Sequence, residues 1–187
     1  MTFNWRELEV IEGWLDKEEA QLLHDLAEQM PPGTFWCEIG SWKGKSTVAM
    51  AQSGRHGYAI DWFQGSSEHK EGTDTLDDYL KNIAPYRKQI ETVVGKSQDL
   101  YRRINKPIGL LFIDGEHTLE AVERDFMLYY DKVIPGGFIV FHDYASDRWG
   151  NPYPGVTVFV DSLIEEGYVV HSQVERCLVL KAQGRKP

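Results

Sequence analysis

Residues 37–51, CEIGSWKGKSTVAMA, decide the fold class of this chain. A short apolar run ends at Ile39, Gly40 and Gly44 enclose a turn, and a helical pattern begins near Gly44. Glycine lets the backbone turn sharply and approach a ligand closely, and the first turn of a helix offers unpaired N–H groups. The stretch therefore predicts a strand, a ligand-binding turn and a helix, which together form the opening unit of an α/β protein.

The same alternation of short apolar runs and helical patterns continues along the chain. Upstream, Asp16 is a predicted N-cap of a helix that Pro31 and Pro32 end. Helices between strands indicate a mostly parallel sheet covered on both faces, with ligands beyond the carboxyl ends of the strands. The predicted strands are FWCEI, GYAID, IETVV, IGLLFID, FIVFHD, YVVHS and CLVLKA, which begin at residues 35, 57, 90, 108, 138, 168 and 177.

Composition limits the class of protein and of partner. The 187 residues, 42% of them hydrophobic, suit a single domain, with residues 1–33 as an N-terminal helical segment and residues 34–182 as the core. A net charge of -9 without a basic block argues against nucleic acid, and no stretch is typical of a membrane span or a signal peptide. We therefore expect a cytoplasmic protein that acts on small molecules, with free thiols at Cys37 and Cys177. The sequence does not decide between a monomer and a homo-oligomer.

Two acids accompany the glycine loop. Glu38 lies inside the first apolar strand, where a carboxylate needs a partner or a polar ligand, and an ammonium group would suit it. Asp61 ends the next strand, where nucleotide-binding α/β domains place an acid that accepts ribose hydroxyls. Such an Asp can also be a helix cap, but its pairing with the Gly40 loop favours ribose binding. Trp62 follows, as an adenine-stacking or core residue.

A second class of protein carries a similar loop. GKST at residues 44–47 also ends a phosphate-binding P-loop, and LLFID at residues 110–114 could be the acidic strand that binds Mg²⁺ in an NTPase. A P-loop has four residues between its glycines, whereas three residues, 41–43, stand between them here. The spacing disfavours a P-loop-like NTPase, which stays the alternative together with a plain tight turn.

Several motifs together resemble a known family, the class I S-adenosylmethionine-dependent O-methyltransferases. From Gly13 to about Ala182, the segments EGWLDKEEAQLL, EIGSWKGKST, IDWFQG, IDGEHTLEAVERDF and IPGGFIVFHDY are similar to small enzymes grouped with antibiotic-sugar and cephalosporin-tailoring methyltransferases. VVGKSQDL at residues 93–100 is similar to the segment that catechol O-methyltransferase places against adenine. The resemblance implies a Rossmann-like, doubly wound sheet of seven strands, mostly parallel, with the last strand antiparallel.

The same resemblance implies S-adenosylmethionine as the cofactor and a position for each of its parts. Glu38 and Gly40 would lie near the methionine moiety, and Asp61 would hold the ribose. Ser97 and Gln98 would reach the adenine. The remaining cofactor-binding candidates, taken from the loop and the strand ends, are Ser41, Trp42, Ser46, Trp62 and Asp114.

Methyl transfer from a sulfonium needs an aligned acceptor oxygen and a group that removes its proton. Asp114 and His117 follow strand four, while His142 and Asp143 follow strand five. By position, Asp114, His142 and Asp143 match the three metal ligands of the catechol-type enzymes, and His117 matches their proton-accepting lysine. Those enzymes have an Asp followed by Asn at the second site. Because imidazole replaces oxygen at His142, the preference shifts from Mg²⁺ toward manganese, iron, nickel or zinc.

Structural alternatives accompany these candidates. Ser46 either faces the cofactor's carboxylate or satisfies the start of its helix, while His142 could bond backbone and His117 could merely precede a helix. If no metal is bound, His117, His142 or Asp143 would be the catalytic base.

Two segments rich in Gly, Ser, Asn or Pro, residues 62–74 and 144–155, are expected to shape the acceptor pocket. Arg148, Trp149 and Tyr153 could grip a ring or sugar face, or only pack the loop. We expect O-methylation of a small molecule or sugar hydroxyl, with a catalytically silent cofactor-binding domain as a further alternative.

Overall fold

The computed structural model describes residues 2–65, 74–145 and 153–184. Its strands are β1 (Phe35–Ile39), β2 (Gly57–Asp61), β3 (Ile90–Val94), β4 (Ile108–Ile113), β5 (Val133–Phe141), β6 (Val169–Val174) and β7 (Cys177–Lys181). They form one seven-stranded sheet in the order β3-β2-β1-β4-β5-β7-β6. Strands β1 to β5 pair in parallel, while β7 is antiparallel to both β5 and β6. The expected class I, Rossmann-like sheet is therefore confirmed.

Helices cover both faces of this sheet. They are α1 (Trp5–Leu8), α2 (Lys17–Gln29), α3 (Lys45–Ala51), α4 (Leu76–Asn82), α5 (Ser97–Leu100), α6 (Leu119–Tyr129) and α7 (Pro154–Glu165). Successive residues of β1 point to opposite faces, so Trp36 joins the core with α2 and α3 whereas Cys37 joins the core with α6 and α7. All six residues of β4 are buried, as expected for a central strand covered on both sides.

Local signals predicted most of these elements. Asp16 forms a capping box with Glu19 at the start of α2, and the helix ends before Pro31. Strand β5 begins at Val133, five residues before the predicted start, which lies late because residues 135–137, Pro-Gly-Gly, belong to types that are depleted in strands. The short α1 was also missed. Within the described ranges, no helix has the length and hydropathy that crossing a bilayer would require.

Two further expectations concern the thiols and the acceptor loops. Cys37 and Cys177 are buried free thiols on strands that are not neighbours, as expected. Arg148 and Trp149 lie outside the described residues, so their predicted contacts with an acceptor stay predictions.

Candidate active site

A cavity of about 1230 Å³ opens at the carboxyl ends of β1, β2, β4 and β5. Ligand pockets commonly measure roughly 300–1,000 Å³, so this one has room for a nucleoside cofactor and a second molecule. Of the residues predicted to bind the cofactor or a metal or to act in catalysis, all but Glu38 line it. The lining members of that set are Gly40, Ser41, Trp42, Ser46, Asp61, Trp62, Ser97, Gln98, Asp114, His117, His142 and Asp143.

The glycine loop packs directly on the segment that follows β4. Gly40 has a φ of +89°, in the left-handed region, and a Cβ at this position would lie 2.0 Å from the carbonyl oxygen of Asp114. Only glycine fits such an approach. Gly44, with a φ of +87°, then caps the start of α3 as the sequence predicted. The loop therefore brings bare backbone to the cavity and touches the segment that carries one of the proposed metal ligands.

Asp61 holds the glycine loop in place. Its Oδ2 accepts hydrogen bonds from the backbone N–H of Ser41 and of Trp42, each at 2.8 Å, and its Oδ1 accepts one from Phe63 at 2.6 Å. Burial raises the pKa of Asp61, and these N–H donors oppose that rise. The backbone N–H of Trp62 also acts on this carboxylate, and because Asp61 lines the cavity its oxygens are accessible to a ribose hydroxyl as well. The sequence did not reveal this loop-holding role.

Glu38 lies behind the loop rather than in the cavity. Its carboxylate is fully buried and accepts hydrogen bonds from the hydroxyls of Ser46 and Thr47 at the start of α3. Burial raises the pKa of Glu38 to about 7, while the hydroxyls of Ser46, Thr47 and Ser41 oppose the rise. Glu38 therefore ties β1 to α3, and its predicted place beside the methionine moiety stays a prediction.

Ser97 and Gln98 line the far end of the cavity at the start of α5. The hydroxyl of Ser97 donates to Oδ1 of Asp125 at 2.5 Å, and the hydroxyl of Tyr129 donates to the carbonyl of Ser97 at 2.9 Å. Both partners lie on α6, which fixes this end of the cavity from the side.

Tryptophans line the cavity beside the glycine loop and after β2. The rings of Trp14 and Trp42 are 5.5 Å apart between centroids. Trp62 is 42% exposed and lies 4.8 Å below the ammonium of Lys96, so it is a surface residue of the cavity and not a core residue. Flat aromatic faces of this kind suit rings of a cofactor or an acceptor.

The opposite end of the cavity brings together the four ionisable residues predicted for the chemistry. Nδ1 of His142 lies 3.0 Å from Oδ1 of Asp114 and 3.2 Å from Oδ2 of Asp143. Nε2 of His117 lies 3.3 Å from the same oxygen of Asp143, and the ring of His117 stacks on Tyr153 at 4.0 Å. Asp143 has a φ of +59°, a strained conformation of the kind found at functional sites.

Two further charged residues complete this cluster, and the sequence did not identify either. Oε2 of Glu19 lies 3.4 Å from Nε2 of His142 and accepts a hydrogen bond from Nη2 of Arg176 at 3.2 Å. Nη1 of Arg176 donates to Oδ1 of Asp143 at 3.1 Å. Glu19 is fully buried on α2, and Arg176 lies in the turn between β6 and β7. The only available signal was the capping-box spacing of Glu19, which indicates a helix start and no site.

The surrounding charges set the protonation of His142. Burial by itself lowers the pKa of His142, but Asp114, Asp143 and Glu19 outweigh it and hold this pKa well above the usual range of histidine. Burial raises the pKa of Asp114 and of Asp143, and the neighbouring histidines reverse this and lower both. Without a cation, the surrounding carboxylates therefore favour the protonated, imidazolium form of His142.

The same residues fit a divalent metal ion. Asp114, His142 and Asp143 each offer a ligand atom within 4.8 Å of the others. Adjacent ligands of an octahedral ion with bonds of about 2.1 Å lie roughly 3.0 Å apart, which is close to the separations from Nδ1 of His142 to the two carboxylates. Nε2 of His142 faces Glu19, and a metal-bound histidine usually donates its other N–H to such a carboxylate.

Comparisons with known proteins place these features in a family context. The family model described as a methyltransferase domain matches residues 37–144, more than half of the chain. The uncharacterized protein R132 of Acanthamoeba polyphaga mimivirus is 44% identical over 59 residues, which are 32% of this chain and 25% of that protein. The match thus spans about a quarter of the length of this relative.

Solved structures share the fold over nearly the whole chain. The O-methyltransferase NovP superposes with a TM-score of 0.70 at 16% identity, covering 90% of this chain and 80% of that one. TomG from Streptomyces achromogenes, an O-methyltransferase involved in tomaymycin synthesis and solved in complex with SAM, gives a TM-score of 0.66 at 17% identity, covering 96% and 86%. At these identities the likeness establishes a common fold.

Proposed function

This chain belongs to the family of class I S-adenosylmethionine-dependent methyltransferase domains, and on that premise we propose that it methylates a hydroxyl group of a small molecule or sugar. One observation carries the proposal. A single cavity joins a glycine loop held by Asp61 to a cluster of ionisable residues around His142, so a methyl donor and an acceptor can meet inside it.

The cofactor end would bind S-adenosylmethionine, which supplies an electrophilic methyl group on a sulfonium. Asp61, which lines the cavity, would accept a ribose hydroxyl, and Ser97 and Gln98 would contact the adenine. The backbone at Gly40 would approach the methionine moiety, since no side chain stands in the way. In this orientation of the cofactor, the acceptor would bind at the opposite end of the cavity, beside Asp114, His142 and Asp143.

His117 is the proposed general base. It lies 3.3 Å from Asp143 and stacks on Tyr153, which together fix the orientation of its ring toward the cavity. His142 is a poorer base because, without a metal, it already carries the proton that the surrounding carboxylates stabilise. A histidine within reach of the acceptor hydroxyl suits proton removal near neutral pH.

We further propose that Asp114, His142 and Asp143 hold a divalent metal ion, which would orient the acceptor and lower the pKa of its hydroxyl. His142 would then bind through Nδ1 and donate its Nε2–H to Glu19. The mixed set of two carboxylates and one imidazole favours manganese, iron, nickel or zinc over Mg²⁺.

The P-loop alternative has no support in the loop geometry. Lys45, which would bind phosphate in a P-loop, donates to the carbonyl of Gly13 at 3.3 Å, and the hydroxyl of Ser46 donates to Glu38. Calorimetry tests the choice directly. We expect S-adenosylhomocysteine to bind in the micromolar range and ATP not to bind, and the reverse result would overturn the proposal.

The acceptor is tested with a panel of sugars, phenols and hydroxylated metabolites incubated with S-adenosylmethionine. Methylation of any member, detected by mass, would support the enzyme. Binding of S-adenosylhomocysteine with neither methyl transfer nor slow cofactor hydrolysis would instead favour a catalytically silent cofactor-binding domain.

A further inference from the structure

Asp125 is a buried acid that the proposed reaction does not use. It lies on α6, is only 2% exposed, and yet reaches the cavity at the end lined by Ser97 and Gln98. A carboxylate is costly to bury unless polar groups satisfy it. The hydroxyl of Ser97 supplies one such group, at 2.5 Å from Oδ1 of Asp125.

This contact decides which hydrogen-bonding groups Ser97 can offer to a ligand. A serine hydroxyl has one proton and two lone pairs, so a proton donated to a carboxylate leaves only acceptor positions. The hydroxyl of Tyr129 donates to the carbonyl of Ser97 at 2.9 Å and holds the residue in this arrangement. Ser97 therefore presents lone pairs, and no proton, to the cavity.

The second oxygen of Asp125 adds another acceptor. Its Oδ2 has no hydrogen-bond donor among the residues that the structure describes, and it lies 3.5 Å from the position that a Cβ on Gly115 would take. It is thus at ordinary contact distance from the segment after β4. Burial raises the pKa of Asp125 to about 6, opposed by the bond from Ser97, so the group is ionised at pH 8 and accepts only.

We propose that Asp125, together with Ser97, recognises the exocyclic amino group of the cofactor's purine and rejects a purine that carries an oxygen at that position. The inference rests on the proposed function, which places the adenine against Ser97 and Gln98. An amino group donates to these acceptors. A carbonyl oxygen would face them with its own lone pairs and leave buried acceptors unpaired, and this kind of mismatch gives strong discrimination.

The test compares two ligands of the same shape, S-adenosylhomocysteine and S-inosylhomocysteine, which has the 6-oxo group. Their affinities are measured by calorimetry at pH 8 for the wild type, Asp125→Asn and Asp99→Asn. We expect the wild type to prefer the amino ligand by about a hundredfold or more. Asp125→Asn should narrow this preference at least tenfold, because its amide can donate. Asp99 is an exposed acid on α5, and its variant should keep the preference.

Each outcome separates the inference from the proposed function. If the wild type binds neither ligand, the proposed function fails and the inference fails with it. If it binds S-adenosylhomocysteine but shows no preference, or the preference persists in Asp125→Asn, only the inference is overturned. Should Asp125→Asn melt far below the wild type, Ser97→Ala decides, because the loss of its acceptor hydroxyl should narrow the preference too, and an unchanged preference would overturn the inference.

Discussion

The two ends of the cavity are held together in different ways. At the cofactor end, Asp61 binds backbone N–H groups of Ser41 and Trp42, which are 20 and 19 positions away in the sequence. The opposite end, around His142 and Asp143, is called the reactive end, and there charged side chains from distant parts of the sequence come together. Glu19 faces His142, which is 123 positions away in the sequence, and binds Arg176, which is 157 positions away. One end therefore depends on local loop geometry and the other on charges brought together by tertiary structure, so they should respond differently to perturbation.

The largest expected effect is a loss of methyl transfer that leaves cofactor affinity nearly unchanged. Removal of metal by a chelator, or Asp143→Ala, should lower methyl transfer by about a hundredfold or more because the acceptor loses its activating ion. Affinity for S-adenosylhomocysteine should stay within a few-fold, since Asp143 is absent from the proposed cofactor contacts. Turnover and calorimetry are measured on the same preparations.

Re-addition of Mn²⁺ to the chelated wild type is the control, and it should restore the rate. Full turnover by metal-free protein would contradict the metal proposal and leave proton removal to His117 alone.

The reciprocal change acts at the cofactor end. Asp61→Ala removes both the grip on the glycine loop and the ribose acceptor, so we expect the affinity for S-adenosylhomocysteine to fall about thirtyfold, or on the order of 2 kcal/mol. Asp77→Ala, which removes an exposed acid of α4, is the matched control. An unchanged affinity in Asp61→Ala would contradict the proposed contact between Asp61 and the ribose.

A smaller effect is expected when a charge that contacts the reactive end from a distant part of the sequence is removed. Glu19→Gln keeps an acceptor for the start of α2 but removes the negative charge that faces His142 and Arg176. Loss of such a supporting carboxylate should weaken metal affinity and methyl transfer about tenfold, with cofactor affinity unchanged. Glu18→Gln, at the exposed neighbouring position, should change neither. Equal rates for both variants would argue against a positioning role for Glu19.

The smallest effect concerns the buried acid behind the glycine loop. Because the pKa of Glu38 is raised to about 7 from an ordinary 4.5, the folded protein holds a proton between these values that the unfolded chain releases. Stability from this group is therefore present at low pH and is lost as pH rises through about 7. From about pH 5 to pH 8, the melting temperature of the wild type should fall a few degrees relative to Glu38→Gln. Parallel pH profiles would contradict this.

The sequence predicted the structure around the glycine loop better because its signals are local. The bounds of β1 and β2 were predicted as observed, and the glycine loop and Asp61 lie at their ends. Asp114, His117, His142 and Asp143 were each singled out by their positions after β4 and β5, and the structure brings them together, while their roles stay predictions. The role of Glu19 could not be found, because the sequence around it specifies a helix cap and contains no trace of a partner more than a hundred positions away.

The start of β5 was missed for an equally specific reason. Residues 135–137, Pro-Gly-Gly, are typical of a turn, whereas in the structure Val133 pairs with Ile108 and the backbone of Gly136 and Gly137 bonds to Ala182 across the sheet. The contacts of Glu38 with the hydroxyls of Ser46 and Thr47 were not predicted either, because they depend on how α3 packs against β1. The place of Glu38 beside the methionine moiety, which the resemblance implies, stays a prediction.

The contact between Arg176 and Glu19 also bears on the order in which the two ends of the cavity form during folding. Closing a chain segment of 157 positions costs more conformational entropy than closing one of 20, so we expect the more distant contact to form later in folding. Asp61 can grip the glycine loop once β1 and β2 have paired, whereas Arg176 reaches Glu19 and Asp143 only after β6 and β7 have joined the sheet. In a refolding chain, we therefore expect the means of holding a methyl donor to appear before the means of using it.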